Sequence, residues 1–241
     1  GQAMQMMVET AEHPMLQPVG LAVHIGSQIT QLAPFVQAAH FLVELAEETA
    51  AFGLKLEYLD VGGGLGIDYN HNNAPDPAEW VSAVAAPIRE AGYGLVMEPG
   101  RSIVGPTGAL LSQVIYTKNQ GEKRFVISDA GMNDLLRPSL YSAYHPIVPV
   151  KEPQPDQNGL GTADIVGPIC ETGDTLGKDR PLPHMEPGDL LATLQAGAYG
   201  FAMSSNYNGR VKPAEVLVDG ENFKVIRQRQ GYEHLLDGVE L

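Results

Sequence analysis

Residues 19 to 99 alternate between two periodicities of apolar and polar positions. Three short apolar runs, each long enough for one strand, are VGLAVHI (19–25), LEYLDV (56–61) and GLVMEP (94–99). Between these runs apolar side chains recur at helical spacing, first from Phe35 to Thr49 and then from Trp80 to Ile88. Alternating strands and helices are typical of parallel sheets with right-handed crossovers. The pattern therefore predicts an α/β region, either an open doubly wound sheet or part of a (β/α)₈ barrel.

The second of these helices has a well-defined predicted start. Asp76 is placed at the cap, Pro77 at the first helical position and Glu79 at the third, an order that favours helix initiation. The predicted apolar face of this helix comprises Trp80, Val81, Val84 and Ile88. A helix is also predicted at the beginning of the sequence, where one face carries Met4, Met7, Val8 and Ala11. Because an amphipathic helix is an unusual first element, we expect this beginning to lie inside a longer protein.

The pattern changes near residue 105, after which strands dominate. ALLSQVIYTK and KRFVISDA flank the turn NQGE, and AEVLVDGENFKVIRQR contains a second turn at Asp219 and Gly220. Both segments are typical of antiparallel hairpins. The segment 148–164, rich in Pro, Gly and polar residues, is predicted as a surface loop. We therefore expect two domains, an α/β domain at 1–105 and a mainly antiparallel β domain at 106–241.

Composition and charge narrow the classes of partner. The 241 residues are 44% hydrophobic, enough for a substantial core, and carry a formal net charge of −14. Since an acidic surface repels phosphates, we expect no nucleic-acid partner. No apolar stretch approaches the ~20 residues of a membrane-spanning helix, and the first ten residues lack the basic and apolar regions of a signal peptide. Cys170 is the single cysteine, so no intramolecular disulfide forms, and a cytoplasmic location is predicted.

Each predicted parallel strand ends in residues that are unusual for a simple turn. These are HIGSQ (24–28), DVGGGLG (60–66) and EPGRS (98–102). In parallel α/β folds the loops after the carboxyl ends of strands build the active site, so one site is predicted here. The glycines let the backbone approach an anion, although a strand-to-helix turn also uses glycine without a ligand. The run lacks the Lys-Ser/Thr of a Walker loop and the G-x-G-x-x-G of a dinucleotide helix, so a small phosphate fits better.

His24 and Glu98 each allow two interpretations. The imidazole of His24 is typical of a hydrogen-bonded histidine at a strand end, and its flat ring is also suited to stack on a planar cofactor. Glu98 ends a run that reads as a strand buried on both faces, where an unpaired carboxylate is costly. It therefore pairs with Arg101 or a helix N-terminus, or it lies beneath a heterocyclic nitrogen and keeps that nitrogen protonated.

Six motifs, in order along the chain, resemble those of diaminopimelate decarboxylases, the pyridoxal-phosphate enzymes that make lysine. They are HIGSQ, DVGGGLG, EPGRSIVG, GMNDLLRPSLY, CETGD and GAYGFAMSSNYNGR, which run from residue 24 to residue 210. The resemblance implies the C-terminal part of a (β/α)₈ barrel that binds pyridoxal 5′-phosphate, followed by an antiparallel β domain. It also implies decarboxylation of meso-2,6-diaminopimelate to L-lysine by a homodimer with shared active sites.

Carried over by position, the resemblance implies a role for each motif residue. The catalytic residues would be His24, which stacks on the pyridine ring, Glu98, which faces the ring nitrogen, and Cys170, which donates a proton in the partner subunit's site. Further cofactor contacts would come from Ser27, Gly63, Gly64, Gly100, Arg101 and Tyr199. The substrate would be bound by Arg137, Tyr141, Glu171 and Tyr199, with Arg101 as an alternative contact. Taken singly, Arg137 is also typical of a surface residue, Tyr199 of a core aromatic and Cys170 of a small hydrophobic side chain.

One family feature is missing, the lysine that attaches the cofactor. The family places it in a Y-A-x-K strand near the start of the barrel, a context that is found at none of the lysines 55, 118, 123, 151, 178, 212 and 224. The chain by itself is therefore expected to be inactive. Two alternatives to diaminopimelate decarboxylation remain open. One is a relative that acts on ornithine, arginine or a carboxylated polyamine, and the other is a non-catalytic protein that pairs with an active homologue.

Overall fold

A computed structural model describes residues 1–70, 74–152 and 161–240. The chain divides into two compact units, Gly1–Val104 (unit 1) and Gly105–Leu241 (unit 2). The change of pattern in the sequence falls at the same part of the chain. None of the helices in the described ranges has the length and apolar character needed to cross a membrane.

Unit 1 alternates helices and strands. Its elements are α1 (Gln2–Glu12), β1 (Gly20–Ala22), α2 (Ala33–Ala51), β2 (Tyr58–Asp60), α3 (Pro77–Glu90), β3 (Gly94–Val96) and α4 (Arg101–Val104). The three strands form a parallel sheet in the order β1-β2-β3, with Leu21, Leu59 and Leu95 in register. The parallel α/β prediction is confirmed for this unit, but each strand has three residues and is shorter than predicted.

Helices α2 and α3 bury the faces that their periodicity predicts. Phe35 of α2 meets Trp80 of α3 edge to face, with ring centroids 5.5 Å apart, above a core that includes Leu59 of β2. The predicted cap of α3 is present, since Asp76 Oδ1 accepts a hydrogen bond from the Ala78 amide at 2.7 Å. Val81 was wrongly assigned to the buried face: it is exposed because the stripe of residues 80, 84 and 88 turns it away from the core.

Unit 2 is built mainly from β-strands. Its elements are β4 (Leu110–Gln120), β5 (Lys123–Ser128), α5 (Arg137–Tyr141), β6 (Ile147–Pro149), β7 (Gly161–Val166), β8 (Thr175–Leu182), β9 (Leu190–Thr193), β10 (Glu215–Asp219) and β11 (Asn222–Arg227), with 3₁₀ turns at Phe201–Met203, Tyr207–Gly209 and Tyr232–Leu235. Six strands form one sheet in the order β6-β9-β4-β5-β7-β8, in which only the β5–β7 pair is parallel. Strands β10 and β11 form a separate antiparallel pair. Both predicted hairpins are confirmed.

The predicted surface loop at 148–164 is partly wrong. Strand β6 ends within it at Pro149 and strand β7 begins within it at Gly161, while residues 153–160 lie outside the described part of the chain. Strand β7 forms because Ala163 and Ile165 are buried between β5 and β8, a long-range pairing that outweighs the local turn-like composition. The two ends of the sheet approach each other, since a Cβ on Gly177 of β8 would lie 3.0 Å from Cδ1 of Ile147 in β6.

Candidate active site

The loops after the three parallel strands are joined by backbone hydrogen bonds. The Glu98 amide donates to the Gly62 carbonyl at 2.8 Å, which joins the loops after β3 and β2. The Ile29 amide donates to the Gly64 carbonyl at 3.0 Å, which joins the loops after β1 and β2. The structure thus brings HIGSQ, DVGGGLG and EPGRS together at the carboxyl end of the sheet.

The glycine run permits this close packing. A Cβ on Gly63 would overlap the Glu98 carbonyl oxygen, and one on Gly64 would overlap the carbonyl oxygen of Gly26. Gly64 also has a φ of 98°, in the region that favours glycine. Backbone packing by itself therefore requires these glycines, and the roles of Gly63 and Gly64 in phosphate binding stay predictions.

Arg101 connects all three loops through its side chain. Its Nη2 donates to Ser27 Oγ at 3.0 Å and its Nη1 donates to the Tyr69 hydroxyl at 2.8 Å. Ser27 is exposed and Tyr69 is buried, so a guanidinium and a hydroxyl are presented together at the sheet end. Such donors are the groups that bind phosphate oxygens in proteins. We call Ser27, Tyr69 and Arg101 the strand-end cluster.

Sequence reasoning missed Tyr69. It follows the glycine run in the segment GIDYN, where an aromatic residue beside polar neighbours was the available signal. Its role depends on a hydrogen bond to Arg101, 32 positions along the chain, which no local pattern encodes.

Glu98 and His24 are both exposed, and the prediction of a strand buried on both faces before Glu98 was wrong. In the sheet of these 241 residues β3 pairs with β2, and Val96 is 39% exposed. Arg101, the alternative partner considered for Glu98, donates to Ser27 and Tyr69. Glu98 and His24 are thus both accessible residues at this end of the sheet. Gly100 immediately precedes α4, and its carbonyl accepts a hydrogen bond from the Val104 amide at 3.1 Å.

In unit 2, helix α5 carries Arg137 and Tyr141 one turn apart. The interpretation of Arg137 as a surface residue was wrong, since it is 6% exposed and its Nη1 lies 2.7 Å from His145 Nε2. Tyr141 is exposed. Helix α5 thus carries a buried guanidinium on Arg137 and an exposed phenol on Tyr141.

The CETGD loop lies beside helix α5. Ser139 Oγ of that helix donates to the Gly173 carbonyl at 2.7 Å. Cys170 and Glu171 are exposed, and Glu171 Oε2 accepts from the Tyr207 hydroxyl at 3.4 Å. Unit 2 therefore groups α5 with the loop that carries Cys170 and Glu171.

Asp174 holds the CETGD loop in place. Its Oδ1 accepts from the Met132 amide at 2.7 Å and its Oδ2 accepts from the Ile169 amide at 2.6 Å. A Cβ on Gly131 would come within 2.8 Å of the same carboxylate, which explains the glycine of GMND. Burial raises the pKa of the Asp174 carboxyl above its ordinary value, although both amides and Arg210 oppose this rise. Asp174 ties the loop to GMND and was not among the predicted site residues.

Tyr199 adopts a left-handed backbone conformation, with a φ of 60°. This conformation is costly for a bulky residue and marks a position held by its surroundings. The side chain is 44% exposed, so the interpretation of Tyr199 as a core aromatic was wrong. Its contact with a cofactor stays a prediction.

We expect Asp174→Ala to lower the free energy of unfolding in urea by about 1–3 kcal/mol for each buried amide left without an acceptor. Because the pKa of Asp174 is raised, this residue stabilises the fold fully below pH ~3.8 and less as the pH rises through the raised value. The loss should therefore be larger at acid pH than at pH 7. The exposed Asp237 supplies the control, and an Asp174→Ala variant as stable as Asp237→Ala would contradict the assignment.

The chain matches a known family of pyridoxal-dependent decarboxylases. The family described as "Pyridoxal-dependent decarboxylase, C-terminal sheet domain" matches residues 34–197, and the chain belongs to this family. Among curated relatives, the diaminopimelate decarboxylase of Neisseria meningitidis serogroup A is 48% identical over 231 residues, which cover 96% of this chain and 56% of that enzyme. The predicted resemblance is thereby confirmed. The chain spans about half the length of the curated relatives it matches.

Solved structures agree with this grouping. Diaminopimelate decarboxylase from Helicobacter pylori, complexed with L-lysine, matches 98% of this chain and 58% of its own with a TM-score of 0.91 at 38% identity. Lysine/ornithine decarboxylase from Vibrio vulnificus, complexed with putrescine, matches 86% of this chain and 56% of its own with a TM-score of 0.73 at 27% identity. The predicted fold class, the C-terminal part of a barrel followed by a β domain, is confirmed.

Proposed function

We propose that this chain forms part of an enzyme that decarboxylates meso-2,6-diaminopimelate to L-lysine with pyridoxal 5′-phosphate. The observation that carries the proposal is the grouping of Arg137 and Tyr141 on α5 with the adjoining Glu171 loop. A guanidinium and a phenol suit a carboxylate, and a glutamate suits the neighbouring ammonium. Diaminopimelate has such a charged amino-acid group at the end that is not decarboxylated, whereas ornithine has only an amine there. The higher identity to diaminopimelate decarboxylases supports the same choice.

The residues at the sheet end of unit 1 fit the family's cofactor. Ser27, Arg101 and the backbone at Gly63, Gly64 and Gly100 would bind the phosphate, as the hydroxyl and guanidinium of the strand-end cluster support. The exposed His24 ring would stack on the pyridine. Glu98 would hold the proton on the ring nitrogen, for which an accessible carboxylate is needed. When bound, pyridoxal phosphate supplies an electron sink for the charge left by departing CO₂.

The chain's own lysines do not match the family's attachment context. We infer that the attachment lysine belongs to a portion of the complete enzyme outside these 241 residues. Consequently the complete enzyme should release CO₂ and form lysine from meso-diaminopimelate, and residues 1–241 alone should not. Ornithine, arginine and carboxynorspermidine serve as competing substrates. If the complete enzyme preferred any of these substrates, the assignment of meso-diaminopimelate would be wrong. A complete protein with neither turnover nor cofactor absorbance would support the non-catalytic alternative.

We further propose a homodimer in which Cys170 of one subunit acts in the site of its partner. The thiol would donate a proton to the carbon that has lost CO₂, and its exposure on the CETGD loop supports access to a second molecule. General acids of this kind contribute about 10²–10⁴-fold to turnover.

Mixing two inactive variants tests this arrangement. We expect a Cys170→Ala enzyme and an enzyme lacking the attachment lysine to regain partial activity when subunits exchange, because one hybrid site then receives both groups. Thr172→Ala, an exposed change in the same loop, should leave turnover near normal. If exchange is demonstrated by mass and no activity returns, the thiol works within its own subunit or has no catalytic role.

A further inference from the structure

We propose that His145 is a positioning residue that holds the Arg137 guanidinium, and that it does so as a neutral imidazole protonated on Nδ1. The proposal rests on the function proposed above, in which Arg137 binds the distal carboxylate of the substrate. It adds a residue that neither the motifs nor the comparisons single out.

Hydrogen-bond chemistry fixes the tautomer of His145. Arginine has donors only and keeps its charge, so His145 Nε2, 2.7 Å from Arg137 Nη1, must accept. The Leu194 carbonyl, 3.0 Å from His145 Nδ1, is an acceptor only, so Nδ1 must carry the proton. A doubly protonated ring would lose its acceptor and place two cations in contact. The ring is fully buried, which makes such a contact more costly.

The fold holds this imidazole rigidly. Ser142 ends α5 in a left-handed conformation with a φ of 52°, which turns the chain back so that residue 145 reaches residue 137. Next to His145, the Pro146 carbonyl accepts from the Leu194 amide at 2.8 Å. Backbone and ring are thus both bonded to Leu194, the residue after β9. The His145 ring therefore links the Arg137 side chain to the six-stranded sheet.

A fixed guanidinium plane matters for recognition of a carboxylate. Paired hydrogen bonds form only when the planar fork lies in one orientation, and a long arginine side chain otherwise loses rotamer freedom on binding. An acceptor at Nε2 aligns one edge of the fork before substrate arrives. His145 should accordingly affect the affinity for ligands with a distal carboxylate and leave other ligands unaffected.

Two substitutions separate the ring's two hydrogen bonds. His145→Gln keeps an acceptor near the position of Nε2, whereas His145→Asn keeps a donor near Nδ1 and loses the acceptor. In the complete enzyme we expect His145→Asn to lower kcat/KM for meso-diaminopimelate on the order of 10- to 100-fold through KM, the effect of one lost hydrogen bond to a charged group. His145→Gln should retain most of this efficiency. D-Lysine has the same D centre as the end of meso-diaminopimelate that is decarboxylated, but it lacks the distal carboxylate. Inhibition by D-lysine should therefore be the same in the wild type and both variants.

The outcomes distinguish this inference from the proposed function. A wild-type enzyme inactive on diaminopimelate would reject the function. An active wild type with equal losses in both variants, or with equal weakening of D-lysine, would reject only the role of His145. The tautomer is tested without substitution by ¹⁵N NMR of the histidine-labelled complete enzyme at pH 7. A neutral ring protonated on Nδ1 is expected, and a ring protonated on Nε2 or on both nitrogens would overturn the inference.

Discussion

Arg137→Ala in the complete enzyme should reduce kcat/KM for meso-diaminopimelate by up to ~10⁴-fold, because the distal carboxylate of the substrate would then be buried without a partner. The guanidinium is buried, so the bound carboxylate would lose a desolvated ion pair rather than a solvent-screened one. Cofactor absorbance should not change, since unit 1 carries the residues proposed to bind the phosphate. A loss of turnover with normal absorbance is the expected signature.

Removal of a buried side chain can also weaken the fold, so the experiment needs two further proteins. Arg137→Lys keeps the charge but lacks the planar fork, and we expect efficiency between that of the wild type and that of the alanine variant. Arg229→Ala removes an exposed arginine and controls for loss of positive charge. Melting temperatures show whether each variant is folded under assay conditions. If folded Arg137→Ala matched Arg229→Ala in efficiency, the distal-carboxylate assignment would fail.

Glu98→Gln should retain the cofactor and lower kcat on the order of 10²–10³-fold, the usual effect of losing one preorganised electrostatic contact. A neutral amide cannot hold a proton on the ring nitrogen, so the ring would be a weaker electron sink. Because Glu98 is exposed in this chain, the substitution should not weaken the packing of unit 1. The effect should therefore be seen in kcat and not in thermal stability.

Glu47→Gln is the matched control for this experiment. Glu47 is an exposed residue of α2, so its substitution makes the same chemical change outside the candidate site. Both variants should melt at the same temperature, and only Glu98→Gln should lose turnover. Near-normal turnover of Glu98→Gln would remove the proposed role of this carboxylate.

The parts of the fold that could be predicted depend on contacts close in sequence. The buried stripe of α3, the Asp76 cap and the hairpin at Asp219 and Gly220 each involve residues a few positions apart. Strand β7 could not be predicted in the same way, because its burial comes from β5 and β8.

The same distinction applies to the candidate site. Motif order located HIGSQ, DVGGGLG and EPGRS, and the structure brings these loops together. Tyr69 and His145 were missed because each acquires its role through one side chain elsewhere in the chain, Arg101 or Arg137. Tyr69 and His145 lie outside the sequence motifs, so no local pattern indicates their roles. Arg101 and Arg137, the side chains that they contact, lie within the motifs EPGRSIVG and GMNDLLRPSLY.

The strand order of unit 2 also constrains how the chain folds during synthesis. Leu110–Gln113 of β4 pair with Leu190–Thr193 of β9, about 80 residues later, so a ribosome adding ~5–20 residues per second needs several seconds to supply the partner. During that interval the β4–β5 hairpin can form while the first part of β4 has unpaired amides and carbonyls. Such an edge is a template for association with other nascent chains. A stop codon between residues 128 and 190 would make this temporary edge permanent, so such termination products should aggregate.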